Sequence, residues 1–186
     1  MLYKVAKYIR YKTIELLMKY LVVGSGAREQ AIVSSLIKGN NEVHCIGDTI
    51  NLNINKLCTL HIKHSISDFE YISTLCIKYK YHSVIIGPEK PLADGIVDYL
   101  HQFEIHCVGP SRILAKIESS KIYTRRLFYE NCMYHLVPKV LIVNKNTDIV
   151  NILSFIEQYN NAVVIKCDGL CSGKGVYVYD DDTSLN

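Results

Sequence analysis

The sequence predicts an α/β fold with a parallel sheet, followed by an incomplete α+β unit. Three observations carry this reading. Short apolar runs at 20–23, 43–46, 83–86 and 105–108 are separated by stretches with apolar residues at helical spacing. Continuous apolar runs, as opposed to alternating ones, belong to strands covered on both faces, the situation of a parallel sheet with helices on either side. After Gly109-Pro110 the rhythm changes to helical segments, an isolated strand and a hairpin.

The elements follow in order. Strand 20–23 turns at Gly24-Ser25-Gly26 into a helix with Ala27, Ala31, Ile32 and Leu36 on one face. Strand 43–46 follows. A helix over 68–79 opens with a capping box, Ser67-x-x-Glu70, and is expected to bury Phe69, Ile72, Leu75, Cys76 and Tyr79. Strand 83–86 ends in Gly87-Pro88-Glu89-Lys90-Pro91, and a helix carrying Leu92, Ile96, Val97 and Leu100 leads to strand 105–108. The first domain therefore spans 18–110. The second, 111–186, is expected to hold helical segments over 111–131, a strand at 140–143, a helix over 148–159 and a hairpin around a glycine-rich loop. A hairpin at the end of the sequence leaves an edge without partners, so this unit reads as incomplete. Residues 1–17 carry a stripe of Leu2, Val5, Ile9, Thr13 and Leu16 among basic residues and read as an N-terminal extension ahead of Met18.

Composition narrows the function. Of the 186 residues, 49% are apolar and 21% charged, values of a globular chain long enough for one domain and part of another. No apolar run approaches the roughly 18 to 20 residues of a membrane-spanning helix, so no membrane partner is expected. The net charge of +3 is concentrated at the N-terminus. Lys4, Lys7, Arg10, Lys12 and Lys19 stand against Glu15 there, and the remainder holds 16 basic and 17 acidic residues. A nearly neutral body argues against nucleic acid as a partner. The 7 cysteines form no CxxC pair, and their odd number without a secretory signal predicts reduced thiols in a cytoplasmic protein. Cys58, His61 and His64 are spaced like zinc ligands but lack a fourth member, and no zinc site is expected.

Two glycine-rich turns carry the chemistry. The loop between Val163-Val164-Ile165-Lys166 and Val176-Tyr177-Val178-Tyr179 has Gly169, Ser172, Gly173 and Gly175 around Lys174. It is not a Walker loop, because the glycine spacing is short and a strand follows it where a helix should. Backbone amides unshielded by β-carbons, with Lys166 and Lys174 beside them, suit a polyphosphate. An ordinary hairpin with glycines for geometry and lysines for solubility has the same spacing. The turn Gly24-Ser25-Gly26-Ala27-Arg28-Glu29 lies at the carboxyl end of the first strand, where open α/β sheets bind ligands. It lacks the third glycine of a dinucleotide fingerprint. A smaller phosphorylated ligand fits, held by the Gly24–Gly26 amides and Arg28; a tight turn with Arg28 solvated and Glu29 facing the helix dipole is the alternative. Gly87-Pro88-Glu89 ends another strand on the same edge. Glu89 there is either an acceptor for a sugar or amine, or a turn cap.

In this order the motifs resemble the phosphoribosylamine–glycine ligase family of the ATP-grasp superfamily. The resemblance rests on residues 18–29, on Gly87-Pro88-Glu89-Lys90-Pro91-Leu92 with Gly95-Ile96-Val97-Asp98, on Gly109-Pro110-Ser111 with Ile117-Glu118-Ser119-Ser120-Lys121, and on 166–176. It implies a Rossmann-like pre-ATP-grasp domain followed by part of an ATP-grasp domain. It also implies ATP-dependent joining of glycine to 5-phosphoribosylamine through glycyl phosphate. The substrates would meet Gly24, Ser25, Gly26, Arg28, Glu29, Gly87, Pro88 and Glu89. ATP would meet Lys121, Lys166, Gly169, Ser172, Gly173, Lys174 and Gly175. No residue is assigned as catalytic, and Mg²⁺ ligands are expected in a C-terminal portion or a complementary chain, leaving this chain inactive alone. The chain departs from the family pattern at Gln30, where His is usual, at the 47–53 turn, and at Cys167 and Cys171, where alanines are usual. Asp180-Asp181-Asp182 reads as a solvated acidic run. The competing readings are a different ATP-grasp carboxylate–amine ligase and a degenerate, non-catalytic nucleotide-binding module.

Overall fold

The computed structural model describes residues 17–179 and separates into two compact units that divide between Arg112 and Ile113. The stripe over residues 1–16 and the acidic run at 180–182 lie outside the described residues. Among those described, no helix is long and apolar enough to cross a membrane.

The first unit is a five-stranded, wholly parallel sheet in the order β3-β2-β1-β4-β5. Its strands are β1 (Lys19–Val23), β2 (Glu42–Gly47), β3 (Leu60–Lys63), β4 (Ser83–Ile86) and β5 (Cys107–Val108). The helices are α1 (Ala27–Lys38), α2 (Leu52–Leu57), α3 (Phe69–Tyr79), α4 (Glu89–Asp94) and α5 (Ile96–His101). Alternate residues of the central strands feed two separate cores. Leu21, Val23, Ile46, Val84 and Ile86 pack with Ile72, Leu75 and Cys76 of α3 and Ile96, Val97 and Leu100 of α5. Val22, Val43 and Cys45 face the other way, onto Val33 of α1 and Ile54 of α2. Both faces are therefore covered, as the continuous apolar runs require. Truncating a central side chain such as Leu21 to alanine is expected to cost about 2–5 kcal/mol.

Several local expectations are corrected. The buried face of α1 is set by Val33 and Glu29, with Ala27 and Ala31 exposed. The cap of α3 is Asp68, whose carboxylate accepts the Tyr71 amide at 3.0 Å, so the Ser67 capping box does not form. A carboxylate one residue nearer the helix wins, and it also pairs with His64 at 2.8 Å. Phe69 and Tyr79 are partly buried at the rim of the core. The single helix expected after Gly87-Pro88 is two short ones, broken at Gly95 in the left-handed region (φ 100°). The strand at 105–108 contracts to Cys107–Val108. The sequence reading missed α2 and β3.

At the amino edge of the sheet, His44 is 3% exposed and saturated with partners. A neutral ring satisfies both nitrogens: Nε2–H donates to Glu42 at 3.0 Å, and Nδ1 accepts the Tyr81 hydroxyl at 2.7 Å. Tyr79 and Tyr81 close on it edge-on, and Lys19 pairs with Glu42 at 3.1 Å. Burial pushes the His44 pKa below the ordinary 6.5, against the pull of Glu42. Burial does the same to His61 on β3.

The second unit contains α6 (which begins at Arg112 and ends at Ser119), α7 (Lys121–Glu130), a 3₁₀ turn at Tyr134–Leu136, α8 (Ile149–Gln158) and the antiparallel hairpin β6 (Val163–Lys166) and β7 (Val176–Tyr179). The expected strand at 140–143 is absent: the segment has no regular secondary structure, and no described strand pairs with it. Among the described residues of this unit only Ala115 is buried. Side chains on both faces of the hairpin, Val164, Ile165, Tyr177 and Val178, are more than half exposed.

Two expected outcomes follow. Lowering the pH through 6.5 should destabilise the first unit. A histidine whose folded pKa is depressed takes up its proton more readily when unfolded, so its contribution is complete above 6.5 and lost below it. Denaturant unfolding of a His44→Gln, His61→Gln double variant should show a flatter pH dependence across that window than the parent; an unchanged slope contradicts it. In amide hydrogen exchange, β1, β2 and β4 should exchange at rates set by global unfolding, and β6 and β7 much faster. Equal protection of both units contradicts this.

Candidate functional site

The carboxyl ends of β1 and β4 lie side by side at the point where the strand order reverses, the position at which open parallel sheets form a ligand crevice. Gly24 leaves β1 in the left-handed region (φ 108°), its N–H donating to Ile46 O at 2.8 Å. Gly87 leaves β4, its N–H donating to Val23 O at 3.0 Å. The 24–29 and 87–89 turns expected to share an edge are in contact.

Glu29 joins them. Its side chain is 4% exposed and lies within the curve of three glycines. Oε2 accepts the Gly26 amide at 2.6 Å. A β-carbon on Gly24 would stand 2.8 Å from Glu29 Cγ, one on Gly26 2.9 Å from Oε2, and one on Gly87 would overlap Oε1. The buried Oε1 has no hydrogen-bond donor among the described residues.

The amide geometry revises one expectation. Of the Gly24–Gly26 amides assigned to a phosphate, those of Gly24 and Gly26 are already bound to Ile46 O and Glu29. The donors left at this turn begin with Ser25 and Ala27, the latter at the first position of α1, where helical amides lack intrahelical acceptors. The Ser25 hydroxyl lies 3.2 Å from Thr49 Oγ1.

Arg28 and Glu89 face each other across the crevice. Arg28 Nη2 donates to both Glu89 oxygens at 2.9 Å, and this pairing holds the Glu89 carboxyl below its usual range. Glu89 is therefore paired with Arg28, and its carboxylate also accepts its own backbone amide at the start of α4. The pair is largely exposed, so its contribution to stability is at most about 1 kcal/mol, and its effect is mainly on orientation.

Two departures noted in the sequence meet in space. Gln30 Oε1 accepts from Asn51 Nδ2 and Asn53 Nδ2, each at 3.4 Å, and Asn51 also donates to Ser25 O at 3.1 Å. Gln30 thus ties the altered 47–53 turn to the glycine turn. Residues 51 and 53 carried no signal of their own, because their role depends on a partner 21 to 23 positions away.

The spaced Cys58, His61 and His64 go separate ways. Cys58 Sγ contacts Leu60 O at 3.3 Å, and His64 pairs with Asp68. Among the described residues no three His, Cys, Asp or Glu side chains converge as a metal site.

In the second unit, the 167–175 loop is anchored on the start of α7. Asp168 accepts from the Ser120 hydroxyl at 3.0 and 3.3 Å and from the Ile122 amide at 3.2 Å. Partial burial pushes the Asp168 carboxyl up, but these donors, with the Gly169 and Lys121 amides, outweigh it and hold it below the usual range. Lys121 Nζ donates to Gly169 O at 2.9 Å, so two residues expected at the ATP phosphates touch. Gly169, Gly173 and Gly175 all lie at positive φ, and added β-carbons on the first two would meet open space. Those residues are glycines for backbone conformation and not for close packing. Lys166 and Lys174 are exposed and form no ion pair with a described residue. Sequence reasoning missed Asp168 and Ser120 as loop anchors, since they are 48 residues apart.

The Glu29 packing yields a double-mutant test. Gly87→Ala should destabilise the first unit by about 2 kcal/mol through overlap with Glu29. In a Glu29→Ala background the same substitution should cost much less, as read by denaturant unfolding. Additive effects contradict the packing.

The family model described as "Phosphoribosylglycinamide synthetase, N domain" matches residues 18–118. A phosphoribosylamine–glycine ligase of Methanobrevibacter smithii is 38% identical over 170 residues, covering 91% of this chain and 37% of the relative. One of Nostoc sp. is 36% identical over 87% of this chain and 37% of its own length. The chain therefore spans little more than a third of the length of these relatives. Among solved structures, N5-carboxyaminoimidazole ribonucleotide synthetase from Thermotoga maritima aligns over 89% of this chain and 42% of its own, with a TM-score of 0.65 at 16% identity. The Staphylococcus aureus enzyme complexed with ADP gives 0.66 at 14%, over the same shares. These likenesses establish the fold. With the family model spanning more than half of its residues, the chain belongs to the phosphoribosylglycinamide synthetase N-domain family.

Proposed function

We propose that this chain supplies the phosphoribosylamine site and the nucleotide-covering loop of an ATP-dependent carboxylate–amine ligase that joins glycine to 5-phosphoribosylamine. The observation that carries the reading is the pair of glycine turns at the switch point, bridged by Arg28 and Glu89, in a chain of this family. In the reaction, the glycine carboxylate takes the terminal phosphoryl group of ATP, and the amine of phosphoribosylamine attacks the resulting glycyl phosphate. Glycinamide ribonucleotide, ADP and phosphate are the products.

Residues 18–110 would be the substrate-phosphate-binding domain and 111–186 part of an ATP-grasp domain. The ribose phosphate sits at the start of α1, on the amides beginning with Ser25 and Ala27, with Gly24, Gly26, Gly87 and Pro88 shaping the crevice. Arg28 turns its guanidinium toward the phosphate, and Glu89 holds it and accepts from the sugar or amine. Glu29 organises the two turns. Gly169, Ser172, Gly173 and Gly175 cover the ATP phosphates, which Lys121, Lys166 and Lys174 neutralise. The chemistry these residues contribute is positioning and electrostatic stabilisation, without a covalent enzyme intermediate. The exposed Lys166 and Lys174 and the three loop glycines, Gly169, Gly173 and Gly175, fit a polyphosphate. The described residues do not fit a Mg²⁺ site, and no step is assigned to the metal; its ligands would come from a C-terminal portion or complementary chain. The setting would be the cytoplasm.

The test compares this chain with a fusion to the C-terminal portion of the Methanobrevibacter smithii relative, supplied with ATP, Mg²⁺, glycine and phosphoribosylamine. The fusion should form glycinamide ribonucleotide and the chain alone should not. Lys121→Ala and Arg28→Ala in the fusion should each lower kcat/KM by about tenfold or more. Product from the chain alone contradicts the division of labour. A fusion that binds ATP and ribose 5-phosphate but forms no product favours a non-catalytic binding module.

A further inference from the structure

Two cysteine sulfurs lie close to one point in the glycine loop. Cys167 closes β6, and its N–H donates to Gly175 O at 2.8 Å across the base of the loop. Four positive-φ residues, Gly169, Ser172, Gly173 and Gly175, curl the intervening chain back on itself. The Lys174 amide donates to Cys171 O at 2.8 Å, drawing Cys171 over the same base. Both sulfurs consequently converge above Gly175. The position a β-carbon on Gly175 would take is 3.2 Å from Cys167 Sγ and 3.5 Å from Cys171 Sγ. A β-carbon there would press on the Cys167 side chain and touch Cys171 Sγ.

The other cysteines differ. Cys45 and Cys76 are buried, which pushes their thiols up to about 12, and burial pushes Cys107 up to about 11. Burial also raises Cys58, whose Sγ contacts Leu60 O, as Cys171 Sγ contacts Gly169 O at 3.7 Å and Asp168 O at 3.9 Å. Cys132 is exposed but stands alone. Cys167 is exposed and Cys171 half-buried, in a loop that binds the rest of its unit chiefly through Asp168 and Gly169, which lie between the two cysteines.

We infer that Cys167 and Cys171 form a reversible dithiol–disulfide pair, a redox latch on the glycine loop, oxidised by low-molecular-weight disulfides of the glutathione type. One thiolate attacks a sulfur of the small disulfide, forming a mixed disulfide and releasing one small thiol. The second protein thiolate attacks the protein sulfur of that adduct and releases the other small thiol. The two protons lost by the cysteines end on the two small thiols, so the protein pair is oxidised by two electrons and the small disulfide is reduced by two. Side-chain rotation brings the sulfurs to the bonding distance of about 2.05 Å. The ring so closed contains Asp168, Gly169 and Leu170, and it fixes the segment that accepts from Ser120 and Lys121. An exposed disulfide in so short a loop belongs to the labile, regulatory kind.

The experiment uses the intact chain and oxidised glutathione, followed by thiol alkylation and trypsin. Cleavage after Lys166 and Lys174 releases residues 167–174, with both sulfurs in one peptide. The expected peptide is unalkylated, free of glutathione and lighter by two hydrogens than its reduced form, and a dithiol reductant restores it. In Cys171→Ser the reaction should stop at a glutathione adduct on Cys167. Amide exchange over residues 168–175 should slow by about tenfold or more on oxidation and recover on reduction. The inference is overturned by a fully alkylated peptide when Cys132 has reacted, by two glutathione adducts, by a cross-link to Cys132, or by unchanged loop exchange in the oxidised chain. No nucleotide enters the assay, so its failure is separable from failure of the nucleotide reading.

Discussion

The first unit depends on one buried carboxylate. Glu29 fills the space that three glycines leave between the ends of β1 and β4, and it takes the Gly26 amide as it does so. A carboxylate this deep requires both a donor and a close, shaped contact. The glycines provide the contact and the start of α1 provides the donor, where negative charge also meets the favourable end of the helix dipole. With Glu29 in place, Ser25, Arg28 and Glu89 project from turns whose separation is fixed.

The second unit repeats the device with different parts. Asp168 comes from a loop 48 residues after Ser120 and takes donors at the start of α7. That contact sets Lys121 against Gly169 O. Both units therefore use a carboxylate at a helix start to hold a glycine-rich turn beside a cation. They differ in support. Two cores back the crevice, whereas the hairpin loop rests on a unit in which only Ala115, among described residues, is buried. Ligand-covering loops are drawn from such weakly packed regions, because they must open and close.

The sequence made the parallel sheet readable because β1, β2 and β4 are buried on both faces and therefore continuously apolar. It hid β3, an edge strand with half-exposed residues and two polar ones in Leu60–Lys63, and it hid the short α2 beside it. The 140–143 run was apolar enough to look like a strand, but strand formation needs a ladder partner, which local sequence does not reveal. At the site, the glycines and Arg28 stood out by spacing. The burial of Glu29, the loss of two glycine amides to Ile46 and Glu29, and the links from Gln30 to Asn51 and Asn53 all depend on contacts between distant positions. The resemblance to a family supplied the order of the motifs, and the geometry supplied which groups remain available to a ligand.

The central claim is that a ribose phosphate lies at the start of α1, between the two glycine turns. Titrating the isotopically labelled chain with ribose 5-phosphate, and following backbone amide resonances, tests it most directly. The account predicts saturable shifts concentrated at Ser25, Gly26, Ala27 and Gly87, with little change at the amino edge around Glu42 and Tyr81. Shifts centred elsewhere in the first unit, or none at saturating ligand, would contradict it.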